Sequence, residues 1–180
     1  MTTFIRTCNA LLIFVIIAVI STAIYFQFGS EGLPCPYCWL QRMGMIGMCT
    51  AILYNLRFGI SLKAYAIALF FAFIGGAVAL RQITFHICPN FPIFGHPILG
   101  YNLYSWSFIV FCCSSAAIFI FLFFHNREME KPKMMNLFER LALILLVLLT
   151  IIDCALIYKQ CGFGRCKDVS WPQPALRESR

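Results

Sequence analysis

Five blocks of apolar residues, separated by short stretches that hold nearly all the charge, run along the chain: Leu11 to Phe28, Pro36 to Leu56, Ala64 to Phe85, Tyr104 to Phe124 and Leu141 to Tyr158. A bilayer core needs roughly 17–25 apolar residues per helix, and each block approaches or meets that length. The pattern predicts an all-α integral membrane protein, with a four-helix transmembrane bundle over 1–125 and a fifth C-terminal span over 141–158. A basic loop (126–140) joins the two, and 159–180 form a cysteine-containing tail. The first block reads as a retained anchor and not a cleaved signal, because its apolar run exceeds the roughly 7–15 residues of a signal core and further spans follow. Gly75 and Gly76 beside Ala77 and Ala79 in the third block predict close helix packing.

Composition removes the alternatives to lipid. The 180 residues are 61% apolar and 12% charged, against about 45–50% and about 25% in soluble domains. A soluble enzyme, a disordered tail and a large water-facing domain are excluded. The chain carries 14 Lys+Arg against 7 Asp+Glu, but the basic residues are scattered between blocks and line no single face, so they read as topology determinants and not as a nucleic-acid surface. Arg6, then Arg57 and Lys63, then Arg127, Lys131, Lys133 and Arg140 fall on one side, while the loops Gly29 to Pro34 and His86 to Leu103 contain no Lys or Arg. By the positive-inside rule those two loops face outward. The basic tail (Lys159, Arg165, Lys167, Arg177, Arg180) departs from the rule. Five crossings leave it outside, whereas a re-entrant last block keeps it in the cytoplasm; block length and the preceding basic loop favour five crossings. Asp153, near the outer end of that block, is expected to reach headgroup water.

Ten cysteines divide by compartment. Cys8, Cys49, Cys112, Cys113 and Cys154 lie in or at the edge of spans, where a thiol behaves as a small hydrophobe. Cys35, Cys38, Cys88, Cys161 and Cys166 fall on the expected oxidising side, where disulfides persist. Cys35-Pro36-Tyr37-Cys38 is the chemical centre: unpaired N–H groups and the positive dipole end of a starting helix stabilise a thiolate, and Pro36 suits the first turn. Cys35, Cys38 and Arg42 share one helical stripe. Arg42 can snorkel to the headgroups, or it can stabilise an anion, either the Cys38 thiolate or reduced quinone oxygens. A zinc site would want a second regularly spaced ligand pair, for which His86 and Cys88 are poor candidates. A glutaredoxin-type CPYC needs a soluble βαβ domain that these apolar blocks cannot build. A structural disulfide between residues three apart would constrain little unfolded chain.

Cys35-Pro36-Tyr37-Cys38-Trp39-Leu40-Gln41-Arg42, opening the second span, resembles the redox motif of the bacterial disulfide bond formation protein B (DsbB) family. Gly75-Gly76-Ala77-Val78-Ala79-Leu80-Arg81-Gln82 before the Cys88 loop is also similar, as is, more weakly, Leu99-Gly100-Tyr101-Asn102-Leu103-Tyr104-Ser105-Trp106. The resemblance covers roughly Thr7 to Phe124. It implies a bundle in the bacterial inner membrane, with its redox cysteines facing the periplasm, that reoxidises a periplasmic thioredoxin-like dithiol oxidase (DsbA-like). The electrons pass to quinone, ubiquinone or menaquinone, in support of protein disulfide formation. By the same resemblance Cys35 and Cys38 are the quinone-linked pair, Arg42 is the quinone-proximal cation, and His86 is a candidate for the quinone edge or an ordinary interfacial residue. Two features depart from the family: the second outer loop holds Cys88 alone where a pair is usual, and the fifth span with its Cys161 and Cys166 is additional. Cys88 can join Cys161 or Cys166, or the tail cysteines can pair with each other. This layout is similar to a divergent DsbI-like branch.

The expected activity is thus that of a protein-disulfide:quinone oxidoreductase. Such partner oxidases lie near −120 mV, and each ~30 mV is about 1.4 kcal/mol for two electrons, so a strong acceptor such as quinone is required. Two rivals remain. One is a vitamin K epoxide reductase-like quinone-linked enzyme, although there the Cys-x-x-Cys pair lies late in the chain. The other is a non-catalytic membrane scaffold whose cysteines staple its outer loops.

Overall fold

The computed structural model describes residues 2–29, 36–87, 100–124 and 134–161, without the side chains of 2, 27–29, 86, 87, 160 and 161. These residues form five α-helices: α1 (Thr2–Gly29), α2 (Pro36–Phe58), α3 (Leu62–Ile87), α4 (Leu103–Phe123) and α5 (Leu137–Cys161). Each coincides with one of the five apolar blocks. The largest difference is at α1, which begins nine residues before Leu11; Arg6 and Asn9 extend the helix because both are buried in polar contacts rather than bathed in water.

Four helices are long and apolar enough to cross a membrane, over Thr3–Phe26, Leu62–Phe85, Leu103–Phe123 and Leu137–Lys159. α2 falls short because it carries Gln41, Arg42 and Asn55, all of which point inward and are buried. It lies at the centre of the bundle, packed against α1, α3, α4 and α5. A helix whose polar groups are turned onto its neighbours can occupy the lipid interior without presenting them to hydrocarbon. The outer faces of the other helices carry the large apolar residues, among them Phe70 and Phe73 on α3, Phe119 and Phe123 on α4, and Ile144, Leu148 and Ile151 on α5.

The expected small-residue packing is found between α2, α3 and α4. A Cβ on Gly44 would stand 3.1 Å from the Gly75 Cα, and one on Gly75 would stand 2.2 Å from the Phe111 ring. The Phe111 ring fills the space a side chain at Gly75 would need. The tight α2–α3 turn passes through Gly59 at φ 102°, a left-handed helix end that suits glycine. Asn55 Oδ1 accepts from the Ser61 N–H at 2.8 Å, and Ser61 Oγ accepts from the Ala64 N–H at 3.3 Å, which caps α3.

α5 is an integral member of the bundle. At its start Glu139 takes the Arg6 guanidinium in a fork, Nε to Oε1 at 2.9 Å and Nη2 to Oε2 at 2.7 Å, while Arg6 Nη2 also donates to the Leu56 carbonyl at 2.7 Å. Glu139 Oε2 further accepts from the Asn136 N–H at 3.0 Å, the reciprocal half of a capping box. These bonds place the start of α1, the end of α2 and the start of α5 at one end of the bundle. α5 therefore runs parallel to α1 and antiparallel to α2, and it ends where α2 begins. Arg6, read from sequence as a topology determinant, is a buried cross-link of three helices.

Candidate functional site at the start of α2

Pro36 occupies the first position of α2, where a missing N–H is without consequence. Two residues on, Cys38 is half-buried. Gln82, buried on α3, donates from Nε2 toward Cys38 Sγ at 3.8 Å, and its Oε1 accepts from Gln41 Nε2 at 2.7 Å. Two buried amides on facing helices thus orient one another, and the pair turns a donor toward the sulfur. A donor at that position is placed to hydrogen-bond the sulfur. Tyr37 packs near Phe85 with ring centroids 6.1 Å apart, closing one flank.

One turn below Cys38 lies Arg42. The structure corrects its expected surroundings: the guanidinium neither snorkels nor stands beside the thiol alone, but donates from Nη1 to Asp153 Oδ1 of α5 at 2.8 Å, with both side chains buried. Asp153 is correspondingly not near headgroup water. It is fully buried, because α5 turns that face onto α2, where a cation already lies in a low-dielectric interior. The buried polar atoms with no hydrogen-bond partner among the described residues include the Trp39 indole Nε1 and Asp153 Oδ2, both close in sequence or space to this pair. Trp39 precedes Arg42 by three residues, so the two share a face of α2.

The remaining sequence candidates are placed unequally. Cys35, Cys88 and Cys166 lie outside the described residues. His86 falls in the last turn of α3, and Cys161 is the final residue of α5, at the same end of the bundle as Cys38; their side chains are not described. Among the span cysteines, Cys49 is buried in the core, Cys8 is half-buried, and Cys112, Cys113 and Cys154 are on the outer surface, as apolar surface residues would be. No group of metal-ligating side chains occurs among the described residues.

Gln82 and Asp153 were the functional candidates that sequence reasoning did not assign. Gln82 carried a signal, a polar residue inside an apolar span seven residues after Gly75. The signal at Asp153 was its charge, which required a partner, but nothing in the sequence named Arg42.

Residues 5–93 match the family model described as disulfide bond formation protein DsbB. Two curated relatives, the disulfide bond formation protein B of Haemophilus influenzae strain 86-028NP and that of strain ATCC 51907 / DSM 11121 / KW20 / Rd, are 36% and 35% identical over 83 residues. The alignment covers 44% of this chain and 47% of each relative, so the chain spans about half the length of the curated relatives it matches. No solved structure matches it significantly.

Proposed function

We infer the activity from one premise: through residues 5–93 this chain belongs to the disulfide bond formation protein DsbB family. It is a multi-pass membrane protein of disulfide bond formation, a thiol:quinone oxidoreductase that reoxidises a thioredoxin-like (DsbA-like) dithiol oxidase in the periplasm and sits in the bacterial inner membrane. The observation that carries the reading is the Cys38 sulfur, held by Gln82 one turn from a buried arginine. A cation buried in a span costs free energy, and this one lies on the cysteine face of α2, whereas the buried Arg6 joins helices at the opposite end of the bundle.

A bound quinone, ubiquinone or menaquinone, would supply an acceptor for two electrons and two protons. The residues present suit such a headgroup: the Arg42 guanidinium for negative charge developing on oxygen, and the Trp39 Nε1–H, which has no acceptor among the described residues, as a further donor. His86 is retained as a candidate for its edge. In the proposed relay, a thiolate of the reduced partner attacks a disulfide that includes Cys88, paired with Cys161 or Cys166, and forms a mixed disulfide. The partner's second thiolate resolves it and leaves the partner oxidised. The released thiols reduce Cys35–Cys38 by exchange, and Cys38, as thiolate, gives up the electron pair while Arg42 holds the charge that develops. That α5 ends on the Cys38 side of the bundle supports the participation of the tail cysteines.

The test is turnover of the detergent-purified protein with a reduced thioredoxin-like dithiol protein and quinone. The wild type should oxidise the dithiol stoichiometrically with quinone reduction, and Cys35→Ser or Cys38→Ser should abolish it. Full activity in either variant, or a dithiol that stays reduced despite quinone, removes the reading and leaves a stapled scaffold.

A further inference from the structure

The segment matched by the family ends at residue 93, yet the carboxylate that engages Arg42 comes from residue 153. We propose that α5 is a working part of the redox site, in which Asp153 is a positioning residue that fixes the Arg42 guanidinium and offsets its charge, and so governs the reactivity of Cys38. The proposal rests on the reading above for its biological meaning, but its physical content concerns only three residues of this chain.

Three observations carry it. The pair is short, at 2.8 Å, and both side chains are withdrawn from solvent, the aspartate completely, so neither water nor salt screens it. It lies on the Cys38 face of α2, one turn from the sulfur. The second carboxylate oxygen, Oδ2, is buried with no partner among the described residues. A carboxylate kept for packing alone would have both oxygens satisfied or be replaced by an apolar residue of similar volume. Here it is held with spare accepting capacity against the cation one turn from Cys38 on α2. α5 cannot be merely an appended anchor, because its removal would strip Arg42 of this charge.

The consequence for Cys38 has a sign. With Asp153 in place, much of the field of Arg42 at the sulfur is cancelled. Replacing the carboxylate by an amide, Asp153→Asn, keeps an oxygen for Arg42 Nη1 and removes a cancelling charge, so less of the cation's field at Cys38 is offset. At an effective dielectric of about 20, a unit charge about 10 Å away changes a thiolate population on the order of tenfold, which sets the scale for a charge near the next turn of the helix. Cys38 in Asp153→Asn should therefore alkylate about threefold to tenfold faster at neutral pH than in the otherwise unchanged protein, the lower figure allowing for the weaker nucleophilicity of a more acidic thiol, while Asp153→Glu, which keeps the charge, should stay within about 1.5-fold.

The experiment uses the full chain in detergent in a Cys35→Ser background, so that Cys38 has no partner within its motif, with iodoacetamide as the probe and mass spectrometry of the Cys38 peptide as the readout. Neither quinone nor partner protein is present. Acceleration in Asp153→Asn with wild-type-like behaviour in Asp153→Glu supports the proposal even if quinone turnover fails, in which case the proposed function falls alone. An unchanged rate in a folded Asp153→Asn overturns it, even if turnover succeeds. Should the buried cation without its carboxylate prevent that variant from folding, the neutral pair Arg42→Gln/Asp153→Asn is compared with the charged pair of the Cys35→Ser protein. A Cys38 rate within about twofold supports the mutual cancellation of the two charges, and a larger change overturns it.

Discussion

Replacing Glu139 by glutamine tests how the helices are held together. The carboxylate receives three hydrogen bonds: Arg6 Nε at 2.9 Å on one oxygen, and Arg6 Nη2 at 2.7 Å with the Asn136 N–H at 3.0 Å on the other. Glutamine matches the shape but has one acceptor oxygen. If that oxygen stays opposite Nε, the new NH2 group faces two donors, and both bonds at that position are lost; if it flips, the bond to Nε is lost. At least one charge-assisted bond disappears, at about 1.5–3 kcal/mol, and a buried guanidinium is left without its counter-charge. Breaking a buried pair from one side costs about 3–5 kcal/mol, and the side chains here are only 4% and 3% exposed, so the full range applies. Unfolding of Glu139→Gln in mixed micelles by SDS, followed by circular dichroism, should show that loss. Removing both partners in Arg6→Met/Glu139→Leu should restore part of it, because no buried charge is left unpaired, while the Leu56 carbonyl and the Asn136 N–H still lose their partners. A Glu139→Gln protein within 1 kcal/mol of wild type would refute the claim that this contact is desolvated.

Gly75→Ala should destabilise the bundle by about 1–3 kcal/mol, because the added Cβ meets Phe111 at 2.2 Å; the same unfolding titration should show recovery in Gly75→Ala/Phe111→Leu. Gln82→Leu removes the donor toward Cys38 and strands the Gln41 amide. One net hydrogen bond of about 1 kcal/mol corresponds to roughly fivefold slower Cys38 alkylation, measurable by mass spectrometry. The Cys35→Ser and Cys38→Ser turnover losses and the Asp153→Asn acceleration complete the set.

The number and approximate limits of the helices were legible in the sequence because burial in lipid demands long apolar runs, and Pro36 and Gly75 announced a helix start and a close contact. The interior pairings were not legible. Arg6 and Glu139 are 133 residues apart and Arg42 and Asp153 are 111 apart, and each taken alone obeys a sound local rule: a basic residue flanking a span, a charge near a span's end. Hydropathy ranks residues singly, whereas a buried charge becomes affordable only with a specific partner. For the same reason α2 read as an ordinary span, although it is the polar spine on which the others converge. The cysteine motif was readable because its chemistry is local, and the donor of Gln82 was not, because it crosses from α3.

The two ion pairs also impose an order on biogenesis. Arg42 and Leu56 on α2 are 14 residues apart, as are Glu139 and Asp153 on α5, about 21 Å along a helix, so α5 fits α2 like a two-pronged plug. Until the ribosome has delivered that plug, the earlier helices must keep two arginines in or near the bilayer without these carboxylates. The first four helices are therefore a poor resting state, and arrival of the fifth neutralises both ends of the bundle in one event. A chain interrupted between α4 and α5 would leave an intermediate with unmatched positive charge inside it, the kind of species that membrane quality-control proteases and insertion chaperones can recognise.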